Sequence, residues 1–300
     1  MGKAASIVAI TLVLLLGGGG LLLAPLSAHR TPAAVHYLEY QYSTFSENSD
    51  FFTEAILAAG ERSIPTPRNH HKPRVGVVSH HLLAKDLIAD FFRRLSVECQ
   101  PTTIVLIGPN HRSRGRDPIA SSALSWKTPL GFVHPDHCLL EEMLQMQAVN
   151  LNEDAFYNEH SIGSLVPFVR AFFPKTRIVP LIVRPDADTT RVLEVADWLA
   201  DNLRDNTLVI GSLDFSHYKT SAAAQLEDEQ TLEIMRTFRY DQWSNSHVDS
   251  RKTLLLLLRL VAQRNWRELD IVHHTNSGIL IDSLNEPCTS YINCLFRSDD

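Results

Sequence analysis

Short apolar runs alternate with amphipathic segments along the chain beyond residue 73. Uninterrupted runs of valine, isoleucine and leucine, bounded by polar or turn-forming residues, are typical of buried β-strands. Such runs occupy residues 75–78, 103–107, 177–183, 207–210, 269–272 and 289–296. The pattern therefore predicts a strand at each of these positions.

Between the strands, apolar residues recur at the spacing of a helix with one buried face. The helical spacing covers residues 82–95, 137–146, 161–173, 190–203, 222–238 and 250–264. Strands that alternate with helices in this way are typical of a parallel sheet with helices on both faces. We therefore predict a single α/β domain with a largely parallel central sheet flanked by helices.

The first thirty residues differ from the rest because they hold an uncharged apolar stretch. No charged side chain lies between Lys3 and Arg30, and a membrane span needs about 20 apolar residues. Residues 1–30 are therefore predicted to be a transmembrane anchor or a signal peptide, so that the protein is membrane-anchored or exported. Because Lys3 favours a cytoplasmic amino terminus, the globular domain is expected on the extracytoplasmic side.

A proline-rich stretch separates this segment from the predicted domain. Three prolines fall within residues 64–73, and each disfavours the helical conformation of the residue before it. We therefore interpret residues 31–73 as a linker or N-terminal extension, and residues 74–300 as the α/β domain.

Composition and charge exclude two classes of function. The formal net charge is −6, and no run of Lys and Arg creates the basic field that attracts a phosphate backbone. We therefore expect no nucleic-acid partner. The four cysteines lack the paired spacing of a thiolate zinc site. The 14 histidines are the feature that needs a chemical explanation.

Several histidines lie in turns that follow predicted strands. The turns after three of these strands contain His80, His111 and His217. Because the carboxyl ends of parallel strands share one edge of a sheet, these side chains are expected to converge there. Further candidates at a helix start or a strand end are His160, His273 and His274. A single histidine in a turn is more often a hydrogen-bonded or solvated residue, whereas three at one edge indicate a binding site.

Imidazoles near a carboxylate, without a thiolate pair, favour a divalent metal of intermediate hardness. Iron(II) fits this ligand type best, and copper, zinc or manganese are the alternatives. A histidine outside the metal shell is able to carry protons, since its ordinary pKa of about 6.5 lies near neutrality. His217 fits this catalytic role, and Asp214, three residues earlier, is predicted either to orient His217 or to cap a helix.

Five motifs add a family resemblance to this reasoning. They are GPNH at 108–111, TPLG at 128–131, EHSIGSLVPF at 159–168, IVPLIV at 178–183 and SLDFSHY at 212–218. Together, over residues 75–296, they resemble the Memo family, also called AmmeMemoRadiSam system protein B. That family is structurally related to class III extradiol ring-cleavage dioxygenases, in which two histidines and a carboxylate hold a non-haem iron(II). The resemblance therefore implies an α/β fold and a mononuclear metal site.

The resemblance also implies a set of metal ligands. His80, in the sequence SHHL, takes the place of the first family ligand, and His111 in GPNH takes the second. The third ligand, commonly a cysteine in the family, falls within residues 246–251. It corresponds to Asp249 or, in a shifted register, to His247.

Two further histidines acquire roles by the same resemblance. His217 matches the acid/base histidine of the dioxygenases, and His160 matches the histidine of the EHS motif, which lines the pocket. The chain also departs from the family, because the PHAG-like motif has lost its Pro, Ala and Gly, and Gly163 replaces a usual glutamate. The substrate pocket is therefore expected to differ from that of other members.

The leading functional hypothesis is a membrane-anchored, non-haem iron-dependent redox or dioxygenase-type enzyme that acts on a small molecule. The alternative is a non-catalytic module that binds a metal or a peptide with the same histidine pocket. Metal-dependent hydrolysis, in which the metal activates water, is a third hypothesis. The expected partners are thus a small-molecule substrate or a peptide, and a membrane at the N-terminal segment.

Overall fold

The secondary structure of the protein, taken from a computed structural model, follows the pattern of apolar residues. The structure describes residues 37–39, 49–63 and 71–298. Its strands are β1 (Tyr37–Glu39), β2 (Pro73–Val78), β3 (Thr103–Pro109), β4 (Ile119–Ser121), β5 (Ser125–Thr128), β6 (Gly131–Val133), β7 (Asn150–Leu151), β8 (Arg177–Val183), β9 (Thr207–Ser212), β10 (His217–Lys219), β11 (Glu268–Asn276) and β12 (Cys288–Arg297). Its helices are α1 (Ser49–Glu61), α2 (Lys85–Glu98), α3 (His137–Leu144), α4 (His160–Gly163), α5 (Val166–Phe172), α6 (Thr189–Asn202), α7 (Ser221–Arg236), α8 (Arg251–Arg264) and α9 (Ser277–Leu280).

The main sheet is parallel at its centre. Among the described residues its strand order is β10-β12-β2-β9-β3-β8-β4-β7, and β11 also pairs with β12. Strands β2, β9, β3 and β8 run parallel to one another, whereas β12 and β4 run antiparallel to β2 and β8. Strands β1, β5 and β6 form a small separate sheet. The predicted α/β fold with a mostly parallel central sheet flanked by helices is confirmed.

Alternate residues of the central strand β3 face two different hydrophobic layers. Val105 and Ile107 pack in the layer that contains α6 and α8. Ile104 and Leu106 pack in the layer that contains α2 and α5. Because successive side chains of a strand point to opposite faces, an uninterrupted apolar strand needs helices on both sides.

Helix α1, which the apolar pattern did not predict, lies within the segment interpreted as a linker or extension. Phe52, Ala55 and Ala59 are buried on one face of this helix. The ring of Phe52 packs edge-on against that of Phe168, with ring centroids 5.4 Å apart. Helix α1 therefore contributes to the same hydrophobic layer as α2 and α5, although the proline-rich stretch separates it from β2.

The helix predicted over residues 161–173 is divided into α4 and α5. Pro167 is the second residue of α5. A proline has no N–H to donate, and its ring clashes with the carbonyl four residues earlier, so it kinks or breaks a helix at this position. The break leaves α4 as a single turn that begins at His160.

The predicted membrane-anchored or exported location is corrected by the structure. None of the helices in the described residues is long and apolar enough to cross a membrane, so the structure gives membrane anchoring no support. The apolar run of α8, residues 254–258, is buried in the core instead. The segment on which the prediction depended, residues 1–30, lies outside the described residues.

Candidate metal site

The carboxyl ends of three neighbouring strands carry side chains of the candidate site. His80 follows β2, His111 follows β3, and Asp214 follows β9. These strands are adjacent in the order β2-β9-β3, so the turns after them open onto the same edge of the sheet. Asp249 lies just before α8, and its backbone N–H donates to the Asp214 carbonyl over 2.9 Å. This bond joins the loop before α8 to the turn after β9.

Ligand-type side chains of the described residues meet at this edge in two overlapping sets. The sets are His80, His111 and His160, and His80, Asp214 and Asp249. Within each set the ligand atoms all lie within 4.8 Å of one another. Because His80 belongs to both, we treat these five residues as one unit, the histidine–aspartate cluster.

The hydrogen bonds of His80 determine which ring nitrogen faces the cluster. Its Nδ1 lies 2.9 Å from Ser212 Oγ, and Ser212 Oγ donates to the Ser161 carbonyl over 2.5 Å. Since a hydroxyl has only one hydrogen to donate, Ser212 accepts from Nδ1–H of His80. The lone pair of His80 is therefore on Nε2, which lies 3.3 Å from Asp249 Oδ2 and 3.4 Å from Asp214 Oδ2.

Burial keeps three of the imidazoles uncharged at neutral pH. It lowers the pKa of His80 well below the usual value, and the nearby imidazoles of His111 and His160 lower it further. Burial and the neighbouring His111 lower the pKa of His160 to about 4. Burial also lowers the pKa of His217, although the Asp249 carboxylate opposes this effect. Neutral imidazole is the form that binds a metal or accepts a proton.

Glu159 holds His111 through two hydrogen bonds. Its Oε2 accepts from the backbone N–H of His111 over 2.8 Å, and its Oε1 lies 2.8 Å from His111 Nδ1. Oε1 also caps α4 by accepting from the Ser161 N–H over 2.9 Å. The other ring nitrogen, Nε2, lies 3.6 Å from Asp249 Oδ2. Although burial disfavours its charge, the nearby carboxylates of Asp249 and Glu159 raise the pKa of His111 to about 10.

Asp249 has two buried carboxylate oxygens that accept no hydrogen bond from the described residues. Its side chain is only 8% exposed. A buried carboxylate whose oxygens accept no hydrogen bond is unfavourable, even with the protonated His111 ring 3.6 Å away. Two imidazole nitrogens and a carboxylate oxygen at short distance are a suitable ligand set for a divalent cation of intermediate hardness. The residues present therefore fit a metal ion.

Asp214 contacts His80 in addition to lying near Asp249. Its Oδ1 accepts from the backbone N–H of His80 over 3.1 Å. Burial and the nearby Asp249 carboxylate raise the pKa of Asp214 to about 8. The carboxylate of Asp214 thus contacts His80. That Asp214 orients His217 stays a prediction.

The two histidines with predicted catalytic roles lie beside the metal-ligand candidates. The ring of His160 stacks on that of His111, with centroids 4.1 Å apart and planes inclined by 18°. Its centroid lies 5.2 Å from that of His80. His217 lines a cleft together with His111 and Asp249. Both predicted residues are therefore brought to the same site.

Three other candidate histidines form side-chain hydrogen bonds outside the histidine–aspartate cluster. His247, the alternative to Asp249 as third ligand, has its Nε2 at 3.1 Å from Gln230 Oε1 on α7. His273 and His274 bond to carboxylates on α2 and α7, at 3.0 and 3.1 Å. The structure therefore brings Asp249 into the cluster rather than His247.

The cleft beside the cluster has a volume of about 540 Å³. His111 and Asp249 belong to its lining, together with the polar side chains of His217, Lys219 and Arg251. This volume is typical of sites that bind small molecules. A ligand in the cleft therefore has access both to the candidate metal ligands and to several polar side chains.

Sequence reasoning missed the groups that orient the two histidines. Ser212 orients His80, and Glu159 orients His111 in addition to capping α4. Both residues lie inside the motifs SLDFSHY and EHSIG. The motifs thus indicated the right segments, but the contacts depend on how separate turns pack together.

Comparisons with known proteins agree with these motifs. A family model described as "Memo-like protein" matches residues 43–291. A MEMO1 family protein of Pyrobaculum arsenaticum is 28% identical over 236 residues, which covers 73% of this chain and 82% of the relative. A MEMO1 family protein of Saccharolobus solfataricus is 27% identical over 239 residues, with coverages of 73% and 82%. Among solved structures, an uncharacterized protein of Escherichia coli K12 matches with a TM-score of 0.48 and 13% identity, over 73% of this chain and 99% of that one.

Proposed function

The chain belongs to the Memo family, and we propose that it is a metal-dependent redox enzyme of the dioxygenase type. In this proposal a single metal ion, iron(II), is held by His80, His111 and Asp249. When bound by two histidines and one carboxylate, iron(II) supplies a redox-active centre with coordination positions open to substrate and dioxygen. The substrate is a small molecule that enters the cleft.

The observation that carries this proposal is the pair of unbonded carboxylate oxygens of Asp249. Both are buried, and Oδ2 lies 3.3 Å from His80 Nε2 and 3.6 Å from His111 Nε2. The lone pair of His80 points into the same space because Ser212 engages Nδ1. A cation shared by these three atoms compensates the buried carboxylate charge and uses a lone pair that otherwise faces an anion.

The neighbouring residues support these ligands in the proposal. Asp214 fixes the backbone of His80 through a 3.1 Å hydrogen bond. His160 stacks on His111, which restricts rotation of the His111 ring and covers one of its faces. In catalysis, Asp214 and His160 keep the ligands His80 and His111 in place. His160 also excludes water from the face of His111 that it covers.

His217 is proposed to move the proton of the substrate. It lines the cleft with His111 and Asp249, where a substrate hydroxyl is within reach of both the ligands and the imidazole. Burial lowers the pKa of His217, so its ring is neutral at pH 7. A neutral imidazole accepts a proton from a hydroxyl and returns it in a later step.

Oxygen consumption tests the proposed activity. Protein loaded with iron(II) under anaerobic conditions is mixed with air-saturated buffer and a panel of catechols, and dissolved oxygen is recorded. We expect substrate-dependent uptake that falls about 100-fold or more in His217→Ala. The exposed His137 on α3 provides a control, since His137→Ala leaves the cluster intact.

Two other outcomes would contradict the redox activity. Protein that retains iron but consumes no oxygen with any catechol favours the non-catalytic binding module. Metal-dependent cleavage of ester or amide substrates without oxygen uptake favours hydrolysis, in which the metal activates water.

A further inference from the structure

Arg251 lies at the junction between the histidine–aspartate cluster and the cleft. It is the first residue of α8, two positions after Asp249, and its side chain is exposed. It lines the 540 Å³ cleft together with His111, His217 and Asp249. It also lines an adjoining opening of about 360 Å³ on the side of Pro185. A ligand in the cleft therefore meets Arg251 as well as the candidate metal ligands.

The protein holds one edge of the Arg251 guanidinium group. Its Nε donates to the Ser246 carbonyl over 2.8 Å, which restricts the direction of the planar group. Arg251 forms no ion pair with a carboxylate in the part of the chain that the structure describes. The terminal nitrogens Nη1 and Nη2 therefore keep the fork of N–H donors that matches a carboxylate.

The other charged groups of the cleft wall already have partners. Lys219 Nζ lies 3.2 Å from Glu227 Oε1, and Glu227 Oε2 lies 3.4 Å from His247 Nδ1. Both oxygens of Glu227 are thus engaged, and the charge of Lys219 is compensated. Asp249 faces His80 and His111 rather than Arg251. Of these charged groups, Arg251 is the cation without a carboxylate partner among the described residues. An anionic ligand would supply that partner.

We propose that the substrate of this site carries a carboxylate, which Arg251 binds while the other end of the molecule reaches the metal ligands. This inference rests on the proposed function, because it assumes a metal at His80, His111 and Asp249. A guanidinium binds a carboxylate through two parallel N–H···O bonds, which fix the direction of the ligand as well as its position. A cleft of about 540 Å³ has room for an aromatic or aliphatic acid that bears metal-binding oxygens at its far end.

Two probes of nearly equal shape isolate the effect of the carboxylate charge. They are 3,4-dihydroxybenzoate and 3,4-dihydroxybenzamide, titrated by calorimetry into zinc-loaded protein, since zinc binds a diol without oxidising it. We expect wild type to bind the benzoate at least about tenfold more tightly than the benzamide. Arg251→Met removes this preference, and Arg251→Lys keeps only part of it because lysine lacks the fork of donors.

Lys219→Met serves as the matched control, because Lys219 is the other cation of the same wall and is already paired. It is expected to retain the full preference. Equal affinities of wild type for the two probes, or a preference that survives Arg251→Met, would overturn the proposal. A preference lost in Lys219→Met but kept in Arg251→Met would also overturn it.

Zinc content, measured on the same samples, separates this proposal from the one on which it rests. Wild-type protein that holds zinc but shows no carboxylate preference contradicts only the role of Arg251. Wild-type protein that holds no zinc contradicts the metal site itself, and with it both proposals.

Discussion

The hydroxyl of Ser212 sets the tautomer of His80. It accepts from Nδ1 at 2.9 Å while it donates to the Ser161 carbonyl at 2.5 Å. Without this acceptor, the proton of the neutral ring is stabilised on Nε2, next to the carboxylates of Asp214 and Asp249. The residue that directs the lone pair of a candidate ligand is thus a serine at the end of β9.

Ser212→Ala is expected to weaken metal binding by about 10- to 100-fold, as loss of an outer hydrogen bond to a metal-bound histidine usually does. The affinity for zinc or iron(II), measured by calorimetry or chelator competition, tests this. Ser164→Ala is the control, because the buried Ser164 hydroxyl has no hydrogen-bond partner among the described residues. Equal affinities of wild type and Ser212→Ala would show that Ser212 does not set the tautomer.

Metal binding is expected to release protons, because His111 carries a charge before the metal binds. Its pKa of about 10 keeps the ring protonated at pH 7.5, whereas a metal ligand must be deprotonated. His111 therefore contributes about one released proton per metal, and the apparent affinity rises about tenfold per pH unit below that pKa. Calorimetry in buffers of different ionisation enthalpy counts the protons. A binding heat that is independent of the buffer would contradict this account.

At the scale of elements, strand β9 and helix α8, which precede and follow segments of the cluster, pack in close contact. A β-carbon built on Gly211 would lie 2.2 Å from Leu257 Cδ1, so only glycine allows α8 to approach the strand this closely. Leu257 is itself fully buried and has little room to move. The end of β9 and the middle of α8 are therefore held in close contact.

Gly211→Ala is expected to lower the free energy of unfolding by about 1–3 kcal/mol, because the added methyl overpacks the contact with Leu257. Urea denaturation followed by circular dichroism measures this change. Gly60→Ala is the matched control, since no atom lies within 4 Å of the position that its β-carbon would take. If the two variants are equally stable, the β9–α8 contact does not constrain the fold.

Apolar periodicity predicts the helices and strands that bury large apolar side chains. It predicts less well the segments whose structure depends on backbone pairing or on small side chains. The strand predicted at 269–272 extends to Glu268–Asn276 because its pairing with β12 continues through the polar His273 and His274. Helix α1 escaped prediction because two of its three buried side chains are alanines, which are a weak apolar signal. The pattern of hydrophobic residues alone shows neither the backbone hydrogen bonds between two strands nor a buried helix face made of small side chains.

At the scale of the whole molecule, a buried ion-pair network ties α2 to the sheet. Arg297, at the end of β12, is 3% exposed and donates to Glu98 over 2.5 Å and to Asp270 over 3.0 Å. Arg94 also donates to Asp270, over 2.8 Å. Helix α2 and strands β11 and β12 are thus joined through a network in which Arg297 and Glu98 are buried and Asp270 is partly exposed.

Arg297→Met is expected to destabilise the protein by about 1.5–3 kcal/mol, because the buried Glu98 carboxylate loses one of its two arginine partners and keeps Arg94, 3.2 Å from Oε1. Arg204→Met is the control, since the pair of Arg204 with Glu142 is about half exposed and surface pairs contribute about 1 kcal/mol or less. Urea midpoints of the two variants test the difference. A loss no larger than that of the control would show that Arg94 alone compensates the charge of Glu98.

The sequence predicted where the candidate site lies better than how it is built. The turns after β2, β3 and β9 indicated the shared sheet edge, because the α/β pattern predicts parallel strands whose carboxyl ends lie at one edge. The choice between Asp249 and His247 depended on register in a loop and was decided only by the contacts of their side chains. The hydrogen bonds of Ser212 and Glu159, and the position of Arg251, join segments that lie far apart along the chain.

Metal content decides whether His80, His111 and Asp249 hold one metal ion. Residues 31–300 are purified, loaded anaerobically with iron(II), desalted and analysed by mass spectrometry, beside His80→Ala, Asp249→Ala and the control His137→Ala. We expect about one metal per chain in the wild type and the control, and its loss in both cluster variants. Wild-type protein without metal, or cluster variants that keep it in full, would contradict the account.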